Sequence, residues 1–412
     1  MKLRRFLLGA ACAALLPSAA ALHGRVLDAD SGRPLAGAVV SHGGEVTTTD
    51  SDGGYAFAGS GGTVAARAIG YRRATVAVAA AEAPPLRLSA IRPKALYLSV
   101  WGIGDRGLRE AALAIADATE INALVIDVKG DRGLIPYASK VALAEAIGAR
   151  RHTTVRDMPA LLATLKERGL YLIARIVVFK DDPLASAHPE WAVQTAAGAL
   201  FRDREQLAWA DPAHPEVWAY NLDVAEEAAA LGFDEIQFDY VRFPDAVGLA
   251  FSVPNSEEQR VAAIAGFLAA AKQRLARYNV FIAADIFGYV AWNANDTFIG
   301  QKIEPLAAHA DYLSPMLYPS GFHLGIPGYT NPVEHPYEIV SLTLKRAVER
   351  SGLSPLRFRP WLQAFRDYAF DRRAFAGDQI RRQIDAAEAV GSNGWMLWNP
   401  RNVYTPDGLR RP

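Results

Sequence analysis

The chain has 412 residues, 44 Lys plus Arg balanced by 44 Asp plus Glu, and a single cysteine. That length accommodates one large domain and a small one. The even charge argues against a basic nucleic-acid groove or a patch for anionic membranes, and one cysteine excludes a disulfide framework.

Residues 1–21 carry the pattern of a secretory signal peptide. Lys2, Arg4 and Arg5 open it, Phe6 to Leu16 form an apolar middle, and Ala19-Ala20-Ala21 offers a small-residue cleavage site. The mature chain is expected to begin near Leu22, exported to the periplasm or beyond the cell and mildly acidic once those cations are removed. It would also lack Cys12, and with it any thiol chemistry. A lipid anchor at Cys12 is the weaker alternative, because Gly9-Ala10-Ala11 lacks an aliphatic residue ahead of the cysteine. No later apolar run is long enough to span a bilayer.

Residues 22–90 show short alternating runs, among them His23 to Leu27, Ala38 to Val40 and Thr63 to Ala66. Turn signals at Asp30-Ser31-Gly32-Arg33-Pro34 and Asp50-Ser51-Asp52-Gly53-Gly54 separate them. The pattern predicts a small, antiparallel, immunoglobulin-like all-β sandwich. The Asp-rich turn lacks the further ligands of a calcium loop and is expected to be a plain turn. The runs G-R-V-L-D-A-D-S-G-R-P-L-A-G-A-V-V, T-T-T-D-S-D-G-G-Y-A-F and A-I-G-Y resemble the carboxypeptidase regulatory-like domain, which implies a non-catalytic accessory module. Ala81 to Pro93 is expected to be a semi-rigid linker holding one last strand, Leu86 to Leu88.

Residues 91–412 change character. Apolar strands are predicted at Lys94–Trp101, Ala123–Asp131, Tyr171–Phe179, Glu235–Phe243, Val280–Gly288, Asp311–Pro319, Phe358–Phe365 and Gly394–Pro400. Helices are predicted at Leu108–Thr119, Val155–Arg168, Pro215–Leu231, Glu257–Tyr278, Pro336–Ser351 and Ala376–Val390, with only a weak signal at Ile299–Ala310. This alternation predicts the α/β class and a (β/α)8 TIM barrel. A doubly wound sheet is the alternative, disfavoured because Gly102-Ile103-Gly104 lacks the third glycine of a dinucleotide turn.

Barrel enzymes keep their chemistry at the carboxyl ends of the strands. Those ends carry Asp127 and Lys129, Arg175, Gln237 and Asp239, Asp285, then Ser314, Met316 and Tyr318, Gln363, and Trp398 with Asn399. Period-two alternation points Gln237 and Asp239 to one face. A carboxylate buried there needs a cation, a substrate or a raised pKa. An Asp239 to Arg242 ion pair that closes a loop is the competing structural reading, as is Asp127 paired with Lys129 or Arg175. Acids from the second, fourth and fifth strands meeting on one rim favour a site instead.

His188, His214, His309, His323 and His335 show no metal-ligand spacing, and no G-x-S-x-G elbow exists, so neither metal, cofactor nor serine nucleophile is expected. Paired carboxylates suit acetal hydrolysis, in which one acid protonates the leaving oxygen and one carboxylate assists from the other face. Trp101, Tyr240, Tyr289, Trp292, Tyr318, Trp361, Trp395 and Trp398 lie near the same ends. Flat rings stack on sugars, although such rings also serve as packing.

The motifs V-I-D-V-K-G-D-R-G, G-F-D-E-I-Q-F-D-Y-V-R-F-P, A-D-I-F-G, D-Y-L-S-P-M-L-Y-P and R-P-W-L-Q-A-F, in this order from Lys94 to Asn402, resemble the bacterial putative glycoside hydrolase family of TIM barrels. The resemblance implies a barrel related to the glycoside hydrolases. By analogy with retaining α-glycosidase barrels, Asp239 is expected as nucleophile or base and Asp285 as acid, with Asp127 tuning them or binding a sugar hydroxyl. Lys129, Arg175, Gln237, Arg242, Tyr289, Trp292, Tyr318, Trp361, Gln363 and Trp398 are the expected substrate-binding residues. Inverting chemistry stays open. The expected activity is cleavage of an envelope or extracellular polysaccharide; the alternative is a catalytically inactive barrel that binds a carbohydrate or a partner protein. Nothing in the sequence sets an oligomeric state.

Overall fold

The structure, a computed structural model, describes residues 21–411. The expected leader, with Cys12 inside it, lies outside the described residues except for Ala21.

Two small sheets form the N-terminal unit. One orders Gly54–Phe57, Leu22–Asp28 and Leu86–Leu88; the other orders Glu45–Thr48, Val39–His42, Gly62–Arg67 and Ala74–Val78. Alternation turns Leu22, Val26, Val40, Phe57, Val64 and Leu88 into a shared core. The expected all-antiparallel pairing needs one correction, since Leu22–Asp28 and Leu86–Leu88 run parallel. The chain returns from the second sheet through Ala81–Pro85, long enough to enter beside the first strand in the same direction. The Asp-rich turn is closed by Asp50, whose Oδ1 accepts from the N–H groups of Asp52 (2.9 Å) and Gly54 (2.8 Å).

The remaining chain closes a parallel barrel of β1 (Lys94–Leu98), β2 (Ala123–Lys129), β3 (Tyr171–Val177), β4 (Glu235–Asp239), β5 (Phe281–Phe287), β6 (Tyr312–Met316), β7 (Trp361–Gln363) and β8 (Trp395–Trp398). Every residue of β2 and β3 is buried, as expected for strands covered on both faces. Leu124, Ile126, Leu172, Ile236, Phe238 and Ile282 pack outward under the helices, while Val125, Ile173, Phe281, Ala283, Trp361 and Met396 fill the interior. The strands are shorter than the sequence pattern suggests, because their last apolar residues already turn into loops. Between β2 and β3 the register slips: Asp127 faces Arg175, but Lys129 faces Ile176, leaving Val128 as an extra residue.

Around the barrel lie α1 (Arg106–Ala118), α2 (Met158–Glu167), α3 (Pro215–Leu231), α4 (Glu257–Leu275), α5 (Ile303–Ala307), α6 (Pro336–Ser351) and α7 (Gly377–Val390). Proline at the first turn starts α3 and α6, and Gly232, at φ +100°, ends α3 in the left-handed conformation that glycine adopts without strain. The weak helical signal after β5 corresponds to the short α5.

The sandwich covers the barrel floor. Asn279 Nδ2 donates to Val39 O (3.3 Å), Ser41 Oγ (3.1 Å) and Ala65 O (3.2 Å), and Gly70 N donates to Tyr312 Oη (3.1 Å). Arg67 Nη2 reaches Asp311 Oδ2 at 3.4 Å. The expected linker is packed rather than free, with Ala83 in the sandwich core and Ile91 in the floor of the barrel. Just inside that floor, Arg359 Nη1 donates to both oxygens of Glu235 at 2.7 Å each, and Tyr171 Oη donates to Glu235 Oε2 at 2.9 Å.

Candidate active site

At the opposite mouth, neighbouring strands set a cation among acids. Asp127 on β2 is the register partner of Arg175 on β3, which is in turn the partner of Gln237 on β4, and Asp239 stands one inward step further along. Arg175 is buried. Its Nη1 donates to Asp127 Oδ1 (2.7 Å), its Nε and Nη2 to Asp239 Oδ2 (2.9 and 2.7 Å), and Nη2 also to Asp131 Oδ1 (2.7 Å). Tyr97 Oη donates to Asp127 Oδ2 at 2.8 Å. The guanidinium lies 4.8 Å from the Trp398 ring centre and 5.3 Å from that of Tyr97, and those two rings stack 4.0 Å apart. A planar fork fixed by four polar contacts and two rings holds the carboxylates in one geometry. Burial alone opposes the charge on Arg175, yet Asp131, Asp127 and Asp239 keep it protonated well above its ordinary range.

Two backbone features shape this arrangement. A Cβ on Gly130 would lie 2.8 Å from Asp127 Oδ2 and 2.9 Å from Val100 Cγ1, so only glycine lets the chain turn so tightly over Asp127. Tyr240 holds φ +48°, a conformation that costs a non-glycine residue energy. Its N–H donates to Asp239 Oδ1 at 2.6 Å, and its ring sits near Lys180 Nζ (5.2 Å) and the Arg242 guanidinium (5.2 Å).

Asp285 on β5 is fully buried. Trp361 Nε1 donates to its Oδ1 at 2.9 Å, and its Oδ2 has no partner among the described residues. Burial, followed by the charge of Asp239, pushes its carboxyl well above the usual carboxylate range, against the opposing pull of Arg175 and the Trp361 N–H. Burial also raises Asp127 to about 6, with Arg175 opposing. One carboxylate held on a cation beside another that favours its proton is the arrangement acid–base chemistry needs. Among the described residues no His, Cys, Asp and Glu cluster suits a metal ion; the cation amid these acids is Arg175 itself.

Above the acids lie three adjoining cavities that share Phe287. One of about 360 Å³ is lined by Arg175, Asp239, Tyr240, Arg242, Tyr318, Tyr368 and Trp398. Another of about 350 Å³ is lined by Tyr289, Phe322 and His323, and a third of about 360 Å³ by Lys180, Trp209, Arg242 and Asp245. A larger one, about 620 Å³, opens on the sandwich between His23, Arg25, Tyr55 and Glu82, and contains none of the strand-end acids.

Of the sequence-predicted residues, Arg175, Asp239, Arg242, Tyr289, Tyr318 and Trp398 line the cleft. Asp127, Gln237, Asp285 and Trp361 lie beneath it. Gln237 donates to Ser314 Oγ (3.2 Å), while Gln363 is bound to the loop after β6, accepting from Ser320 N (3.0 Å) and donating to Ser320 Oγ (2.7 Å). Lys129 is not brought to the cleft, because the slip at Val128 turns it outward to an ion pair with Asp181. Trp292 instead donates to Thr343 on α6 at 3.0 Å. Trp101 is exposed beside His152, and Trp395 is buried and donates to Glu388 on α7. No Asp239–Arg242 pair forms. Arg242 Nη1 donates to Phe243 O (2.9 Å), and its guanidinium packs on Phe287 (4.6 Å) and Trp209 (4.9 Å).

Sequence reasoning missed Asp131, Tyr97, Arg204, Phe287, Phe365 and Tyr368. Tyr97 falls on the inward face of β1 by simple alternation, and Asp131 stands inside the D-V-K-G-D run. Arg204 and Tyr368 sit in loops without periodicity and gave no signal.

Residues 95–404 match the family model described as Putative glycosyl hydrolase domain, and residues 21–91 match that of the Carboxypeptidase regulatory-like domain. A search of curated proteins found no match. Among solved structures, a hypothetical protein from Ruminiclostridium thermocellum ATCC 27405 is 37% identical across 46% of this chain and 96% of its own, with a TM-score of 0.41. The PgaB (BpsB) glycoside hydrolase domain from Bordetella bronchiseptica is 14% identical across 77% of this chain and 99% of its own, with a TM-score of 0.52, a likeness of fold.

Proposed function

Since the chain belongs to the putative glycosyl hydrolase domain family, we propose that it is an exported glycosidase that cleaves an envelope or extracellular polysaccharide through paired carboxylates. One observation carries this reading: Asp239 lines the cleft, held on Arg175, while Asp285 nearby is buried in a setting that favours its proton. Asp239 acts as nucleophile or base and Asp285 as proton donor through its free Oδ2. Asp127, in this reading, reports on the same guanidinium and tunes the pair. Tyr318, Trp398 and Tyr289 offer ring faces to sugar units.

Residues 1–21 serve as the leader, 22–90 as accessory module and 91–412 as catalytic unit. Export is supported by the basic, apolar and small-residue order of the first segment. No helix among the described residues is long and apolar enough to cross a membrane.

The test is a screen for reducing-end release over bacterial polysaccharides and peptidoglycan, with Asp239→Asn run in parallel. The variant should keep its fold and lose about a thousandfold or more in rate; near-wild-type turnover by it overturns the assignment. A second reading, a silent barrel that binds glycan, is favoured by the complete burial of Asp285. It predicts saturable sugar binding with no product, equally tight in Asp285→Asn.

A further inference from the structure

Of the five lysines and arginines that line the central cleft and the cavity beside Lys180, three have their acid. Arg175 holds Asp127, Asp131 and Asp239; Lys180 pairs with Glu205 (2.9 Å) and Asp203 (3.3 Å); Arg202 pairs with Asp182 (2.7 Å). Asp203 is further occupied by the Trp209 indole N–H and by the backbone N–H groups of Glu205 and Leu207. Two arginines differ. Arg242, half-buried, lines two of the cavities, and among the described residues its guanidinium makes one hydrogen bond, to Phe243 O, and no ion pair. Arg204, exposed on the β3–β4 connection, lines the same two cavities and makes no ion pair among the described residues.

A guanidinium partly withdrawn from water without a carboxylate is costly, so its setting favours an anion from outside. The rings of Phe287, Trp209 and Tyr240 support Arg242 through its π faces, which leaves N–H groups on its edge free to donate. Burial draws its pKa down, against the pull of Tyr240, Asp239 and Asp245. Asp245 is exposed, lines the two flanking cavities and forms no ion pair with Arg242. Asp239 itself is screened by Arg175, so an anion can approach its neighbourhood.

We propose that the cleft takes an anionic sugar unit beside Asp239, with the oxyanion of that unit received by Arg242 from the wall and Arg204 from the lip. The inference rests on the glycosidase reading and narrows its substrate to acidic polysaccharides. A carboxylate or a sulfate matches the arginine fork equally, whereas an amino sugar meets like charge.

The test measures binding of the full chain to oligogalacturonate and its carboxyl-reduced form, to dextran sulfate and dextran, and to chitosan oligomers. At low salt at least one acidic probe should bind about ten- to hundredfold more tightly than its neutral counterpart, and the preference should shrink as salt rises. The larger ratio identifies carboxylate or sulfate. Arg242→Gln and Arg204→Glu should each remove most of the preference, the exposed Arg204 giving a variant whose folding is not at stake. Asp239→Asn should keep the preference while losing turnover. Neutral or chitosan probes binding as well as the acidic ones, no binding of any acidic probe, or a preference that survives both arginine variants would overturn the proposal. Acid preference without product from any polysaccharide would end the hydrolase reading and leave this one standing.

Discussion

At the floor of the barrel one arginine faces one carboxylate; at the mouth one arginine faces three. The two networks share two strands, with Glu235 and Asp239 on β4 and Tyr171 and Arg175 on β3. Arg359 and Glu235 are wholly buried, matched in charge and covered by the sandwich through Gly70 and Ile91. Arg175 is matched against an excess of acid, and its cluster is open to a cavity. Equal charge under a cover marks a structural joint, whereas carboxylates crowded round one cation beside open space mark a place suited to proton transfer.

The same substitution applied at both hubs breaks that comparison most sharply. Under the proposed function, Arg175→Met should reduce turnover by about a hundredfold or more, because three crowded acids then compete for protons and Asp239 is no longer held for its proposed role as nucleophile or base. Full turnover in this variant would mean that the mouth is structural too. Arg359→Met should cost about 3–5 kcal/mol in stability by leaving Glu235 buried and alone, with the rate per folded molecule unchanged. Denaturant unfolding combined with active-fraction kinetics separates the two outcomes.

A smaller effect concerns pH. The Trp361 N–H stabilises the ionised form of Asp285, so Trp361→Phe should raise that carboxyl's pKa further. In the proposed role of proton donor Asp285 works only while protonated, so activity falls as pH rises through its pKa, and the alkaline limb should move to higher pH in the variant. A limb that stays in place, or moves down, would assign it to another group. Least of all should change in Arg67→Met at the joint between sandwich and barrel. Arg67 Nε and Nη1 are buried without partners among the described residues, and Asp311 keeps the Ile282 N–H, so the shift should stay within about 1 kcal/mol. A larger loss would make the joint depend on that ion pair rather than on Asn279.

The sequence made the barrel legible because its strands are buried on both faces and so spell continuous apolar runs in which Asp127, Asp239 and Asp285 stand out. Which cation would hold them was not legible. Arg242 is two residues from Tyr240 and three from Asp239, yet the left-handed turn at Tyr240 sends the chain away, and Arg175 from the adjacent strand takes the pairing instead. Trp292, Trp361 and Gln363 lie where a strand end suggests, but their polar atoms are engaged by Thr343, Asp285 and Ser320, contacts that only the fold creates. The sandwich docks on the floor through the buried Asn279, at φ +51° in a turn before β5, where the sequence offers no contrast with an asparagine in any surface turn.

The extra residue at Val128 decides which ions the mouth contains. Strand geometry alternates sides every residue, so an unslipped β2 would aim the Lys129 ammonium into the interior just beyond Asp127 and supply a second cation there. By displacing one side chain, the bulge moves a full positive charge from the cleft to the layer behind the barrel, where Asp181 receives it. Deleting Val128 would close the bulge with the lysine still opposite Ile176 and facing Asp181, so the charge re-enters the interior only where β2 keeps Val128 and pairs it in regular register. The register of a single strand thus acts as an electrostatic setting for the cleft.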